Sequence, residues 1–68
     1  MADFVLHTHG RMFMLFARND RALRRLRKLP EMNLVHTSER LLLNSERARE
    51  VLELLTTEGY KVEGQLLL

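Results

Sequence analysis

The chain has 68 residues, of which 46% are hydrophobic and 29% charged, and its formal net charge is +2. A chain of this length folds as one domain near the lower limit of independent stability, and without cysteine it has no disulfide or thiolate metal site to stabilise it. We expect a single domain over residues 1–68 that depends on its apolar residues or on a partner chain. The absence of a long apolar run and of a basic, apolar N-terminus predicts a cytoplasmic protein without a membrane span or signal peptide.

The first half of the chain predicts a hairpin followed by a helix. Residues 4–8 are β-branched and aromatic, Gly10 suits a tight turn, and residues 11–17 are strongly apolar, which is typical of two paired strands. Asn19 or Asp20 caps the helix that follows, and Pro30 is expected to end it. Apolar residues at helical spacing form its buried stripe: Ala22, Leu23, Leu26 and Leu29.

The second half repeats this order. Residues 33–37 and 40–43 predict two strands, and Ser45 is the expected N-cap of a second helix. Gly59 suits the left-handed position that ends a helix, and alternation over residues 60–68 predicts a closing strand. The apolar stripe of the second helix comprises Ala48, Val51, Leu52 and Leu55.

The two halves are also similar in sequence. His7 and Arg11 match His36 and Arg40 at an offset of 29, whereas Arg21 and Ala22 match Arg47 and Ala48 at an offset of 26. We interpret the match as an internal ββα duplication, with copies at about 4–29 and 33–58. The predicted fold is therefore α+β, with the order ββαββαβ and two helices on one face of a mainly antiparallel sheet.

Strand alternation leaves the other face of this sheet without a helix. We predict that the helices are faced by Leu6, Met12, Met14, Val35, Leu41 and Leu43. The predicted interaction face on the opposite side comprises Val5, His7, Arg11, Phe13, Leu15, Leu34, His36, Arg40 and Leu42. A half-apolar, uncovered sheet face is typical of a homodimer, a protein partner or a ligand platform, although a curled sheet or a packed terminus would hide the same residues.

Positive charge is concentrated in and beside the first helix. Residues 1–30 carry a net charge of +5 and residues 31–68 a net charge of −3. The cluster comprises Arg18, Arg21, Arg24, Arg25, Arg27 and Lys28, with Asp20 as its acidic neighbour. Such a block is expected on a surface that binds phosphates or an acidic protein, and a solvated helix face has the same composition.

No motif in the sequence indicates catalysis or a cofactor. The Ser and Thr residues lack a nucleophile-elbow pattern, and there is no glycine-rich phosphate loop. His7, His9 and His36 could in principle hold Zn²⁺, but duplication of His7 accounts for His36, and no carboxylate is spaced to orient the three. We predict a non-enzyme without metal or cofactor.

The order of elements resembles the HARP-like and damage-recognition accessory domains of DNA-remodelling helicases. The resemblance spans residues 11–62 and is one of pattern: the strand at 11–16, the helix ending in Leu29-Pro30, the short strand at 41–43, the helix over 48–55 and the closing segment 59–62. It implies binding to DNA or to a DNA-handling enzyme, without catalysis.

The leading prediction is a small nucleic-acid-binding module that contacts backbone phosphates through the cations of the first helix. DNA is favoured over RNA, and no motif reads bases. A homodimer through the uncovered sheet face is expected. Two alternatives stay open: a protein-interaction module, such as an inhibitor or adaptor that docks on a nucleic-acid-processing enzyme, and a self-associating regulator. The sequence also leaves open whether the chain is a whole protein or an excised domain.

Overall fold

The computed structural model describes residues 2–33 and 39–64. Along the chain, the elements are strand β1 (Phe4–His9), strand β2 (Met12–Ala17), helix α1 (Asp20–Leu26), a short 3₁₀-helix (Pro30–Asn33), strand β3 (Arg40–Leu43), helix α2 (Ser45–Thr57) and strand β4 (Val62–Glu63). The fold of the described residues is α+β with two α-helices, which confirms the predicted fold class at that level.

The four strands form one mixed sheet in the order β3-β2-β1-β4. β1 and β2 are an antiparallel hairpin around Gly10 and Arg11, in which His9 pairs with Met12. β3 pairs antiparallel with β2, and β4 runs parallel to β1. The two hairpin strands are therefore central, and β3 and β4 lie at opposite edges of the described sheet.

One face of the sheet and both helices enclose a single apolar core. The strands contribute Phe4, Leu6, Phe13, Leu15, Leu41 and Leu43. The helical segments contribute Ala22, Leu26, Leu29, Met32, Ala48, Val51 and Leu55. Because both helices contribute to the same core as this face of the sheet, they lie on the same side of it, as predicted.

Asparagine side chains begin both α-helices. Oδ1 of Asn19 accepts a hydrogen bond from the backbone N–H of Ala22 at 2.8 Å, and Oδ1 of Asn44 accepts one from Arg47 at 2.8 Å. Asn19 is one of the two predicted caps of the first helix. The prediction for the second helix is wrong by one position, because Ser45 is the first helical residue and Asn44 satisfies the exposed N–H group.

The two helices end in different ways. α1 ends at Leu26, ahead of Pro30, so the prediction that this proline stops the helix is wrong: the chain leaves α1 through tighter turns, and Pro30 begins the 3₁₀-helix. α2 is followed, as predicted, by Gly59 at a left-handed φ of 93°. The N–H of Tyr60 then donates to the carbonyl of Leu55 at 3.0 Å, which is the Schellman arrangement.

Two predicted strands fall only partly within the described residues. Asn33, the first residue of the predicted strand 33–37, lies in the 3₁₀-helix instead, and the rest of that strand lies outside the described residues. Of the predicted closing strand 60–68, Val62 and Glu63 form β4, and residues 65–68 lie outside. The complete ββαββαβ order and the duplication therefore remain predictions.

Candidate nucleic-acid interface and open sheet face

The buried side of α1 determines where its cations lie. Ala22 and Leu26 are 0% exposed in the core, so Arg24, Arg27 and Lys28 are left on the exposed sides. Beyond Leu26 the chain stays coiled, because the N–H groups of Arg27 and Lys28 donate to the last turn at 3.0 and 3.1 Å. These cations gather at the carboxyl end of the helix, where the helix dipole stabilises positive charge.

Arg25 is held in an ion pair within the chain. Its Nε and Nη2 donate to the two carboxylate oxygens of Glu58 at 2.6 and 3.0 Å, and its side chain is 18% exposed. The hydrogen bond with Glu58 raises the pKa of Arg25, and the same bond lowers the pKa of Glu58. This pair joins α1 to the end of α2, so Arg25 positions the helix that carries the other cations.

Arg21 belongs to a cluster at the start of α1. Its guanidinium carbon lies 4.0 Å from the ring centroid of Tyr60, and its Nη1 lies 3.6 Å from Oδ1 of Asp3. Asp3 also accepts hydrogen bonds from the backbone N–H of Lys61 at 2.9 Å and from Nδ2 of Asn19 at 3.0 Å, and these bonds, the Lys61 bond first, lower the pKa of Asp3. The Arg21 side chain is 57% exposed and keeps donors for an outside ligand.

The other predicted cations are exposed and, within the described residues, form no ion pair: Arg18, Arg24, Arg27 and Lys28. Nε of Arg24 donates to the backbone carbonyl of Asp20 at 3.4 Å, which leaves its two terminal NH₂ groups to solvent. We call these four residues the cation group. Within the described residues, no carboxylate lies within ion-pair distance of these four cations.

The sheet face opposite the helices is here called the open face. Cross-strand pairs arrange its residues in three rows: Arg40, Phe16, Val5 and Glu63; then Leu42, Met14 and His7; then Met12 and His9. Val5, Met12, Met14 and Phe16 are partly exposed, and Leu42 is 43% exposed. Neither α1 nor α2 packs on this side, so the open face is an apolar surface with a cation at one edge and a carboxylate at the other.

The predicted faces of β2 are reversed in the structure. Phe13 and Leu15, predicted on the uncovered face, are 7% and 2% exposed in the core, whereas Met12 and Met14 lie on the open face. The reason is register: the two-residue turn pairs Leu15 with a core residue of β1, and paired residues project to the same side of a sheet. Phe16 is consequently the aromatic residue of the open face, and sequence reasoning missed it.

The rest of the predicted interaction face is divided among three locations. Four residues lie on the open face as predicted: Val5, His7, Arg40 and Leu42. Arg11 is exposed in the hairpin turn at one end of that face. Leu34 and His36 lie outside the described residues.

A shallow hollow joins the open face to the cation group. It has a volume of about 400 Å³ and is lined by Val5, His7, Phe16, Ala17, Arg18 and Glu39. The rings of His7 and Phe16 meet edge to face, with centroids 5.4 Å apart and planes at 84°. Arg18 therefore borders both surfaces, and the hollow marks the place where they meet.

Within residues 2–33 and 39–64, no three His, Cys, Asp or Glu side chains are grouped as a metal site would require. In the same part of the chain, no helix has the length and apolar character needed to cross a bilayer. The absence of an enzyme activity, a metal and a cofactor remains a prediction from the sequence.

Comparison with protein-family models, with curated proteins and with solved structures finds no match to this chain. The resemblance to accessory domains of DNA-remodelling helicases therefore stays a prediction. The cation group and the open face are the two candidate functional surfaces of the molecule.

Proposed function

We propose that the protein is a small, non-catalytic nucleic-acid-binding module whose cation group contacts backbone phosphates. The observation that carries the proposal is that Arg18, Arg24, Arg27 and Lys28 are exposed and, within the described residues, form no ion pair. Arginine donates two parallel hydrogen bonds to a phosphate, and lysine acts as a point charge. Contacts of this kind address the backbone and carry no base sequence, and DNA is the expected ligand.

The two other predicted cations take different parts in this proposal. Arg21 adds an outer contact, because it remains 57% exposed beside Asp3. Arg25 is a positioning residue, because its ion pair with Glu58 holds α1 against α2. Replacing Arg25 is therefore expected to affect binding through the placement of α1 and to lower the stability of the fold at the same time.

Binding of the whole chain to a short labelled DNA duplex, measured over a range of salt concentrations, tests the proposal. Four neutralised phosphates correspond to a slope of about −3.6 in log K against log salt, so that affinity falls roughly 150-fold between about 50 and 200 mM salt. Arg27→Gln/Lys28→Gln removes two of these contacts and is expected to reduce the slope to about −1.8.

The matched control is Arg49→Gln/Lys61→Gln, which removes the same charge from two exposed residues outside α1. This variant is expected to keep the wild-type slope. An equal loss in both double variants would show attraction by net charge alone, and a wild-type slope near zero would contradict the proposal. Single-stranded DNA and duplex RNA in parallel titrations measure the preference among nucleic acids.

The open face favours a second candidate function, that of a protein-interaction module. Partly exposed Met14, Phe16 and Leu42 have the character of an interface core, and methionine adapts to differently shaped partners. The cation group would then meet an acidic surface, as in an inhibitor or adaptor of a nucleic-acid-processing enzyme. Absence of binding to DNA and RNA near physiological salt favours this candidate.

Three finer expectations belong to the proposal. The protein acts in the cytoplasm without a membrane partner, it forms a homodimer through the open face, and its complete fold is the duplicated ββαββαβ unit. The apolar composition of the open face supports the homodimer, and the match between the two halves of the sequence supports the duplication.

A further inference from the structure

We propose that a second copy of this chain covers the open face in a defined orientation, and that the resulting dimer joins two separate nucleic-acid molecules. The docking of the second copy is independent of nucleic-acid binding. The joining of two molecules rests on the proposed function.

Charges at the two edges make the open face complementary to itself. Arg40 lies on edge strand β3 and Glu63 on edge strand β4, at the two ends of one row across the sheet. A two-fold axis parallel to the strands stacks β3 of one copy over β4 of the other, so each Arg40 faces Glu63 of the second copy. Arg40 also interacts within its own chain, and the five N–H donors of a guanidinium allow both contacts.

The same axis also determines which central residues of the two copies face each other. In the shared row, Phe16 of one copy lies over Val5 of the other, and in the next row Met14 lies over His7. An axis perpendicular to the strands would instead stack each strand on its own equivalent. That arrangement brings arginine edge to arginine edge and glutamate edge to glutamate edge, and like-charge contacts of this kind disfavour an interface.

The size of the open face indicates a reversible dimer. The four strands have six, six, four and two residues, and with strands about 4.8 Å apart and a rise of about 3.3 Å per residue their face covers roughly 290 Å². This is about a third of the roughly 800 Å² per partner that standard stable interfaces bury, so a weak, reversible dimer is expected. A rotation about an axis parallel to the strands also keeps their directions aligned, as in common sheet-on-sheet packing.

Stacking two open faces leaves the helices outermost. Within each copy, α1 turns Ala22 and Leu26 toward its own sheet, so Arg24, Arg27 and Lys28 of the two copies lie on opposite outer sides of a helix–sheet–sheet–helix sandwich. Arg18 borders the open face and lies near the contact between the copies. Layers about 10 Å apart separate the two α1 axes by about 30 Å. One straight duplex cannot lie on both surfaces, and the dimer therefore holds two.

Sedimentation of two charge-reversed variants tests the docking. In a dimer of Glu63→Arg, Arg40 of each copy faces an arginine of the other copy. In a dimer of Arg40→Glu, Glu63 of each copy faces a glutamate. Each variant alone is therefore expected to dimerise at least tenfold more weakly than the wild type. An equimolar mixture restores two attractive contacts and is expected to recover the dimer. A wild type that stays monomeric at several hundred micromolar, or a mixture that gains nothing over its components, overturns the docking.

A second pair of variants keeps this test independent of the folding of Arg40→Glu. Phe16→Glu and Val5→Lys face each other across the same axis, so each alone is expected to be monomeric and their mixture to form heterodimers. Circular dichroism of each variant shows whether it is folded. Dimerisation of Phe16→Glu alone overturns the assignment of the interface to the open face.

Retention of a fluorescent duplex on beads that carry a different, biotinylated duplex tests the bridging. Wild-type protein above its dimerisation concentration is expected to retain the fluorescent duplex, and Glu63→Arg to bind each duplex but retain at least tenfold less. Equal retention by Glu63→Arg, or a wild-type dimer that binds duplex without retention, overturns the bridging. Absence of duplex binding by every form overturns the proposed function together with bridging, whereas the sedimentation result still decides the docking.

Discussion

Replacing Gly64 by alanine is expected to detach β4 from the sheet. Gly64 follows β4 directly and has a φ of 106°. A Cβ atom at this position would overlap the backbone carbonyl oxygen of Leu6 in β1. Because the obstacle is the backbone of a central strand, it cannot turn aside as a side chain would, and the end of β4 must move instead.

Two costs contribute to the expected loss of stability in Gly64→Ala. The left-handed conformation costs a residue with a Cβ atom about 1–2 kcal/mol. Displacing β4 weakens its two residue pairs with β1, and each lost hydrogen bond contributes about 1 kcal/mol. The sum is about 2–4 kcal/mol, a large part of the roughly 3–10 kcal/mol expected for a domain of this size.

Chemical denaturation followed by circular dichroism measures this loss, and Gly59→Ala is the matched control. Gly59 has a similar φ of 93°, but a Cβ atom there has no heavy atom within 4 Å. The control is therefore expected to lose only the conformational contribution of about 1–2 kcal/mol. If Gly64→Ala is no less stable than Gly59→Ala, the close approach of Gly64 to β1, and with it the placement of β4, is wrong.

The same denaturation assay checks three other features. Phe13→Ala is expected to lose about 3–5 kcal/mol because it empties a core position, whereas Phe16→Ala on the open face loses about 1 kcal/mol or less; similar losses would contradict the reversed faces of β2. Asn44→Ala removes the N-cap of α2 and is expected to lose about 1 kcal/mol, seen as a lower midpoint at unchanged slope. Hydrogen bonds lower the pKa of Asp3 in the folded protein below its ordinary value of 3.8. Its contribution to the free energy of unfolding is therefore complete above pH 3.8 and is lost as the pH falls through the folded pKa. Asp3→Asn should make stability decline less steeply in acid, and an unchanged decline would contradict this role.

Features that depend on short-range chemistry are predicted well from the sequence. The bounds of β3 at Arg40–Leu43, the cap at Asn19 and the end of α2 at Gly59 each depend on a few neighbouring residues. The mistaken cap at Ser45 is of the same kind, because Asn44 and Ser45 are adjacent and both residue types cap helices well. Which of the two residues is the N-cap depends on where the first helical turn begins, and capping propensity does not distinguish them.

The faces of β2 could not be predicted from alternation, because Met12–Ala17 is apolar throughout and has no period of two. The length of the hairpin turn determines which residues of β2 face the core. A two-residue turn pairs Leu6 with an odd-numbered residue of β2, even if the turn is placed one residue earlier, and in the structure that partner is Leu15. Turn length therefore decides which side of an all-apolar strand enters the core.

Which of the predicted cations form ion pairs could not be predicted, because their partners are distant in the sequence. Arg25 pairs with Glu58, which lies 33 residues away, and Arg21 lies beside Asp3 at the start of β1. Charge density predicts where positive charge accumulates. Only tertiary packing decides which cations become part of the fold and which stay on its surface.

The burial of the strands also constrains the proposed duplication. At an offset of 29 the buried Phe13 corresponds to Leu42, which is 43% exposed, whereas an offset of 30 matches it with the buried Leu43. The N-caps Asn19 and Asn44 are 25 residues apart. If the two halves share an origin, small shifts of register have separated sequence equivalence from structural equivalence.

The reversal of β2 makes the two surfaces of the molecule compatible with one assembly. Met14 and Phe16 lie on the central strand β2. The neighbouring strands pair with its edges and do not cover these side chains on the open face. Exposed apolar residues of this kind promote open-ended association unless they are buried in a contact with closed symmetry. A two-fold contact that pairs Arg40 with Glu63 closes after two copies, and it leaves α1 on the outside. The surface that excludes water between the copies and the cations Arg24, Arg27 and Lys28 then lie on different sides of each subunit, and Arg18 lies where the two surfaces meet.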